Sequence, residues 1–201
     1  MSYRCIMADP PWKYNDRLRM EPGIKRSAED VYKTVMTTDE ICALANGDDV
    51  RGPIRIMGQP IADDAVLGLW TTNPFLLNGD ALRVCAAWGF TPKQLFTWVK
   101  GGVEEDSIIG ALGMGHYFRV DTEHLILATR GRPQVLRHDL RNYVFAIEKG
   151  EHSAKPDEVA VMLETLTPGP YLELFARKPR EGWDVVGDEV DKRDTMIVEG
   201  M

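Results

Sequence analysis

The stretch Asp9-Pro10-Pro11-Trp12 follows a short apolar run, Cys5-Ile6-Met7-Ala8, near the start of the chain. An apolar run of this length predicts a buried strand. The two prolines end it, because neither can donate a hydrogen bond to a sheet and both fix φ. The sequence therefore predicts that the Asp9 carboxylate lies at the carboxyl edge of a strand, where open α/β sheets bind their ligands.

The same four residues offer hydrogen-bond acceptors beside an aromatic ring. The Asp9 carboxylate and the Pro10 carbonyl are two acceptors, and neither proline contributes a backbone donor between them. Trp12 adds a flat apolar face. This set suits a planar group that carries an NH₂, such as a nucleobase with an exocyclic amine. Taken alone, the tetrapeptide fits a strand, a Pro-Pro turn and a core tryptophan equally well.

Further apolar runs predict an α/β fold with a mainly parallel sheet and helices on both faces. Strands are predicted at residues 66–70, 94–99, 124–128, 143–147, 171–176 and 183–186. The capping box Thr37-x-x-Glu40 predicts a helix that ends at Asn46-Gly47. A second helix is predicted over residues 77–88, and a third with Pro156 at its first position.

The segments between these elements predict loops. Residues 13–36 form a long polar stretch, residues 54–57 fit a hairpin arm or insertion, and the glycine-rich residues 100–118 fit a mobile lid. Gly110-x-x-Gly113-x-Gly115 lacks the spacing of a dinucleotide loop.

Composition bounds the class of protein. The 201 residues predict one domain over residues 1–190 with a polar tail over 191–201. A net charge of −7 argues against strong non-specific binding to nucleic acid but leaves a local basic face open. The three dispersed cysteines indicate a reducing compartment, and no metal-ligand spacing is present. We expect a cytoplasmic protein, because there is no secretory leader pattern and no apolar run of about 20 residues.

Two more features stand at predicted strand and helix ends. Lys155 precedes the helix at Pro156, where its ammonium group would meet the positive helix end unless an anion binds between them. Asp188-Glu189 follows the strand at 183–186, where an acid commonly accepts hydrogen bonds from ribose hydroxyls. In isolation, Lys155 fits a solvent-facing lysine and the acidic pair fits an acidic loop.

These features, taken with several motifs, resemble the adenine amino-methyltransferases of the mRNA-adenosine-methyltransferase type, including their small bacterial and phage DNA-modifying relatives. The resemblance covers residues 3 to about 190. The motifs are Ala8-Asp9-Pro10-Pro11-Trp12, Tyr32-Lys33-Thr34-Val35-Met36, Leu69-Trp70, Trp88-Gly89-Phe90, Trp98-Val99-Lys100, Glu123-His124 with Arg130-Gly131, His152-Ser153-Ala154-Lys155-Pro156 and Glu173-Leu174-Phe175-Ala176-Arg177.

The resemblance implies a Rossmann-like, S-adenosylmethionine-dependent methyltransferase with a permuted motif order, in which the catalytic motif comes first and the cofactor strand late. It implies catalytic roles for Asp9, Pro10, Pro11 and Trp12, and substrate contacts from Lys13, Tyr32 and Glu123. It implies cofactor contacts from Ala8, Asp9, Lys155, Glu173, Leu174, Phe175, Arg177, Asp188 and Glu189, with Lys155 at the methionine carboxylate. No metal is implied. Relatives in the RNA-modifying branch carry an amide pair at the position of Asp188-Glu189.

The predicted reaction is methyl transfer to the exocyclic amine of adenine in DNA. RNA adenosine methylation, a non-catalytic nucleic-acid-binding subunit of the same fold, and methylation of a small amine or a protein are the alternatives. DNA is favoured because compact relatives modify DNA and because the chain starts at the catalytic strand. The loops at residues 13–36 and 100–118 are expected to bind the nucleic acid, together with the basic groups at residues 13–26 and 130–141. No interaction with a membrane is expected. A homodimer or a second subunit remains open.

Overall fold

The computed structural model of the protein describes residues 1–14, 35–46, 54–104, 107–109, 117–146, 155–187 and 190. The strands are β1 (Tyr3–Ala8), β2 (Ala45–Asn46), β3 (Arg55–Ile56), β4 (Gln59–Thr71), β5 (Thr91–Lys100), β6 (Gly102–Glu104), β7 (Ser107–Ile109), β8 (Thr122–Arg130), β9 (Tyr143–Ala146), β10 (Tyr171–Leu174) and β11 (Trp183–Val186). The helices are α1 (Thr38–Cys42), α2 (Asn73–Leu77), α3 (Asp80–Ala87) and α4 (Asp157–Leu166).

The main sheet has the strand order β11-β10-β1-β4-β8-β5-β9. The first four of these strands are parallel to one another, and β9 is parallel to β5. This confirms the predicted α/β fold with a mainly parallel sheet. β8 is the exception, because it runs antiparallel to both β4 and β5. A parallel return needs a crossover, usually a helix, and the described part of the β5–β8 connection holds only the β6–β7 ribbon.

β1 lies in the middle of the sheet, and its alternating side chains enter two cores. Ile6 and Ala8 belong to a first core, which α1, α2 and α3 cover. Cys5 and Met7 belong to a second core, on the opposite face, which α4 covers. Because both faces are buried, β1 is apolar throughout its second half, as strands of covered parallel sheets are.

Helix α1 begins as predicted but ends early. Thr37 and Glu40 form the capping box, with the Thr37 N–H donating to Glu40 Oε2 at 2.7 Å. The predicted end at Asn46-Gly47 is wrong, because α1 ends at Cys42 and Asn46 pairs with Arg55 across β2 and β3. Strand pairing with the predicted hairpin arm therefore replaces the last predicted turn of this helix.

The helix predicted over residues 77–88 corresponds to α3, which begins at Asp80, whereas Leu77 is the last residue of the separate helix α2. Asn78 separates them, and its Oδ1 accepts a hydrogen bond from the Asp80 N–H at 2.9 Å. Gly79, with φ +86°, makes the turn. Leu77 was expected on the apolar face of one helix, but it is 85% exposed because the break changes the direction of the chain.

Other boundaries also differ from prediction, and the largest difference is in β4, which begins at Gln59 and not at residue 66. Pro156 is the N-cap of α4 and not its first helical residue. β10 ends at Leu174 and not at Ala176, because Phe175 takes the left-handed conformation with φ +62°. Strand β11 matches the predicted residues 183–186.

Several predictions fall outside the described residues. These are the polar tail at 191–201, most of the loop at 13–36 and the glycine motif at 110–115. Within the described residues, no helix has the length and apolar character needed to cross a membrane.

Candidate active site

The tetrapeptide 9–12 stands at the carboxyl end of β1, between the ends of β10 and β4. The Asp9 N–H donates to the Leu174 carbonyl at 3.5 Å, which joins the ends of β1 and β10. The Pro10 carbonyl accepts from the Trp12 N–H at 2.9 Å. A carbonyl oxygen has two lone pairs, so Pro10 retains one for a ligand.

Trp12 is part of the first core. It is 6% exposed, its Nε1 donates to the Trp70 carbonyl at 3.1 Å, and its ring stacks on Phe75 at 4.8 Å. Little of the ring is therefore open to a base. The Tyr14 ring packs edge-on against the Phe75 ring, with the ring centroids 4.9 Å apart, and Tyr14 is exposed. Sequence reasoning missed Tyr14, although its spacing of two from Trp12 was a signal that both lie on one side of an extended segment.

Four charged side chains form a continuous cluster beside the tetrapeptide. Lys155 Nζ lies 2.8 Å from Asp9 Oδ2 and 3.1 Å from Glu123 Oε2. Lys100 Nζ lies 2.6 Å from Glu123 Oε1. The order Asp9, Lys155, Glu123, Lys100 alternates negative and positive charge, so the cluster has no formal net charge. We call these four residues the charged cluster.

The indole rings of Trp70 and Trp98 pack against the two lysines of the charged cluster. The Lys155 ammonium is 5.6 Å from the Trp70 ring centroid, and the Lys100 ammonium is 5.0 Å from that of Trp98. Both distances are within the range of cation–π attraction. The Trp70 Nε1 is buried and has no hydrogen-bond partner among the described residues.

The charged cluster is mostly shielded from water. The side chains of Lys155 and Glu123 are each 12% exposed, that of Lys100 is 19% exposed and that of Asp9 27%. Charges removed from water to this extent need partners, and here each ammonium lies against a carboxylate. Asp9 is the member that is most open to a ligand.

These charges set the pKa values of Glu123 and Lys155. Burial raises the pKa of Glu123, but the ammonium groups of Lys155 and Lys100 outweigh burial and hold it below its ordinary value. Burial lowers the pKa of Lys155, but the carboxylates of Asp9 and Glu123 outweigh burial and raise it. Both side chains are therefore charged at neutral pH.

Strand alternation explains why the cluster forms. Glu123 lies opposite Trp98 in the β5–β8 register, and Lys100 is the diagonal neighbour two residues along. Glu123 therefore shares a face with Trp98, which belongs to the second core. Lys155 comes just before α4, the helix that covers this face. The Lys100 contact was missed in the sequence, where its only signal was the motif Trp98-Val99-Lys100.

The residues predicted for the cofactor strand lie beside Asp9. Ala8 and Leu174 are buried and opposite each other in the β1–β10 register. Phe175, next in the chain, is partly buried against the first core, and Arg177 is also partly buried. Glu173 accepts a hydrogen bond from Arg180 Nε at 2.7 Å.

Other predicted site residues are elsewhere or not described. Lys13 is exposed, and its backbone N–H donates to the Met36 carbonyl at 2.8 Å. Tyr32, Asp188 and Glu189 lie outside the described residues. Arg130, which we expected to help grip the substrate, is the last residue of β8, whereas Glu123 lies near the start of that strand; its contact with nucleic acid stays a prediction. At about 3.3 Å per residue, Arg130 lies at the opposite edge of the sheet.

A cavity of about 370 Å³ lies away from the charged cluster, between β5, β8 and α4. Its lining is mainly apolar and includes Phe96, Leu125 and Leu163, but none of the four charged residues. Among the described residues, no group of histidine, cysteine or acidic side chains could hold a metal ion.

Comparison with known proteins adds the relatives of this chain. A family model described as MT-A70 matches residues 3–189. The N(6)-adenosine-methyltransferase subunit METTL3 of Danio rerio is 30% identical over 194 residues, and the METTL3 catalytic subunit of Homo sapiens is 29% identical over 194 residues. The type II methyltransferase M.MunI of a Mycoplasma species is 28% identical over 197 residues.

The three relatives differ in how much of their own length is matched. Each alignment covers 94% of this chain. It covers 28% of each METTL3 protein but 78% of M.MunI. This chain therefore spans less than a third of the METTL3 relatives and most of the Mycoplasma protein.

Proposed function

Because this chain belongs to the MT-A70 family of adenine N6-methyltransferases, we propose that it transfers a methyl group from S-adenosylmethionine to the exocyclic amine of adenine in DNA. The family match confirms the resemblance that the sequence motifs carried. The observation that carries the proposal is the Asp9 carboxylate, which stands beside the Pro10 carbonyl at the carboxyl end of β1 and contacts the buried Lys155 ammonium.

Asp9 and Pro10 would activate the amine. An aromatic amine is a poor nucleophile, because its lone pair is delocalised into the ring. When the Asp9 carboxylate and the Pro10 carbonyl accept hydrogen bonds from its two N–H groups, the nitrogen becomes more tetrahedral and the lone pair becomes available. Catalysis of this kind depends on positioning and electrostatics.

S-adenosylmethionine, when bound, would supply an electrophilic methyl group and leave as a neutral thioether. The amine nitrogen would form the new bond to carbon and lose one proton, which the Asp9 carboxylate would accept. Two observations fit a ligand at this edge. Phe175 has an unusual left-handed backbone, which is frequent at ligand sites, and Trp70 Nε1 is a buried donor without a partner among the described residues.

Besides the cofactor contact that the resemblance implies, Lys155 orients Asp9 in this proposal. Its ammonium is bound to Asp9 Oδ2, so it fixes the orientation of that carboxylate and leaves Oδ1 to accept from the substrate amine. The contact with the methionine carboxylate, which the resemblance implies, stays a prediction. A third carboxylate at Lys155 would also lie close to Asp9 and Glu123, so this contact would need Lys155 to move.

DNA is the proposed substrate because, of the three relatives compared above, the Mycoplasma type II methyltransferase is matched over most of its own length and the two METTL3 proteins are not. A base inside a duplex cannot reach the end of β1, so the target adenine must be flipped out or taken from a single strand. The charged cluster has no formal net charge, so a neutral base would enter without meeting an unbalanced buried charge.

Methyl transfer from radiolabelled S-adenosylmethionine to matched DNA and RNA strands tests the proposal. We expect label in N6-methyladenine of DNA, and no label in a strand whose adenines are replaced by purine, which lacks the amine. Label in RNA alone would change the substrate to RNA. Absence of label in both nucleic acids would contradict the proposal and favour a non-catalytic subunit or another acceptor.

A further inference from the structure

Lys100 is the member of the charged cluster to which neither the sequence motifs nor the proposed reaction gives a role. It is the last residue of β5, and its side chain turns inward over the Trp98 ring. A strand-terminal lysine ordinarily keeps its ammonium group in water. Here the side chain is largely buried, and its charge faces Glu123.

The two oxygens of Glu123 are divided between two lysines. Oε1 contacts Lys100 at 2.6 Å, and Oε2 contacts Lys155 at 3.1 Å. This division fixes the rotation of the carboxylate about its own bond. It also leaves Lys155 closer to Asp9, at 2.8 Å, than to Glu123.

We propose that Lys100 is a positioning residue for methyl transfer, which acts through Glu123 and Lys155 on the Asp9 carboxylate. The inference rests on the proposed function of Asp9. Lys100 takes up part of the negative charge of Glu123 and so limits how strongly Glu123 attracts Lys155. Lys155 then remains on Asp9 Oδ2 and holds that carboxylate in the orientation that receives the amine.

The consequence of losing Lys100 follows from this competition. Without Lys100, Oε1 of the Glu123 carboxylate has lost its partner. Because a buried carboxylate needs partners for its charge, Glu123 can rotate and present both oxygens to Lys155. Lys155 then moves towards Glu123, and Asp9 loses the contact that orients it. A displacement of about 1 Å at a reacting group can cost about 10²-fold in rate.

A merely structural role is the competing explanation. Lys100 and Glu123 are diagonal neighbours across β5 and β8, so their ion pair also joins these strands. A structural role predicts lower thermal stability but an unchanged rate for the molecules that remain folded. The two explanations therefore differ in kcat and in the pH profile.

The test compares Lys100→Met, Lys100→Arg and a control, Lys93→Met. Lys93 is exposed on the same strand and does not belong to the charged cluster. For Lys100→Met we expect kcat to fall by about 10- to 100-fold. Lys100→Arg should recover most of kcat, since it restores the charge, and Lys93→Met should match the wild type.

The pH profile gives a second readout. The groups that contact Glu123 are Lys100 from β5 and Lys155 before α4; Asp9 contacts the same Lys155 ammonium, and His124 is adjacent to Glu123 on β8. Lys100 is one of the causes that lower the pKa of Glu123. In Lys100→Met the acid limb of kcat/KM should therefore move to higher pH, and in Lys93→Met it should not move.

Wild-type kcat and an unmoved acid limb in folded Lys100→Met would overturn the proposal. If Lys100→Met does not fold, Lys100→Gln supplies a hydrogen-bond donor without the charge and decides by the same two measurements. If the wild type transfers no methyl group to any adenine-containing strand, the proposed function fails and this role fails with it. If the wild type is active and Lys100 is dispensable, only this role fails.

Discussion

The two ends of the β4–β8 strand pair use charge differently. At the carboxyl end of β4, Lys155 lies 2.8 Å from Asp9 and 3.1 Å from Glu123, and all three side chains are largely buried. At the other end, Arg130 lies 3.7 Å from Asp63, whose side chain is 93% exposed. One end keeps carboxylates away from water, and the other leaves its carboxylate in water.

The difference separates a site from a structural junction. Burying a charge is costly even when it is paired, so a junction between strands gains little from it. The Arg130 end avoids the desolvation cost of buried charges. There, Asp64 Oδ1 accepts a hydrogen bond from the Arg132 N–H at 2.7 Å, and this bond closes the turn through Gly131. We infer that the buried charges at the Asp9 end serve binding and chemistry.

Removing the central cation from each end should give the largest contrast. Lys155→Met should lower methyl transfer by about 10²-fold and destabilise the fold by about 3 kcal/mol, because two buried carboxylates lose a shared partner. Arg130→Met should change the unfolding free energy by about 1 kcal/mol or less, since its ion-pair partner is exposed, and should leave the rate unchanged. Urea unfolding and single-turnover rates measure both. Similar rate losses in the two variants would remove the distinction between the ends.

A change to the backbone at the Arg130 end should affect stability without affecting rate. Gly131 has φ +60°, and a Cβ there would clash with Asp64 Oδ1 and with the Asp63 carbonyl oxygen. Gly131→Ala should therefore destabilise the protein by about 1–3 kcal/mol. Gly58→Ala is the control, since it has a similar positive φ but open space around the added carbon. A smaller loss for Gly131→Ala than for Gly58→Ala would contradict the close packing of this turn.

The smallest effect concerns pH. The pKa of Glu123 is lower in the folded protein than its ordinary value of 4.5. The unfolded chain therefore takes up the proton first as pH falls, and the stability from this carboxylate is complete above that value and lost below it. The difference in melting temperature between wild type and Glu123→Gln should narrow as pH falls below about 4.5. A difference that stays constant down to the acid transition would show that the Glu123 charge adds nothing to stability.

Local signals in the sequence predicted much of the fold. The apolar runs located β1 and β11, and the Thr37–Glu40 box located the start of α1, because these features depend on a few adjacent residues. The break at Asn78-Gly79 was missed, since a helical pattern can continue across a turn when its apolar residues keep their spacing. The antiparallel β8 was also missed, because strand direction depends on the long connection before it.

The candidate site was predictable only in part. Asp9 could be placed from the prolines that follow it, and Lys155 from the helix that it precedes. The contact between Lys100 and Glu123 joins two strand ends and depends on the β5–β8 register, which no local pattern records. The burial of Trp12 depends on Phe75, which is distant in sequence. From the sequence alone, a Trp12 ring exposed to contact the base was therefore an equally good expectation.

Methyl transfer by Asp9→Asn, measured beside Asp63→Asn, tests the central claim most directly. Both changes remove one carboxylate charge with little change of shape, one at each end of the compared strands. We expect Asp9→Asn to lose about 10²- to 10³-fold in single-turnover rate with its fold intact, and Asp63→Asn to keep the wild-type rate. A folded Asp9→Asn protein with wild-type turnover would show that this carboxylate does not activate the amine.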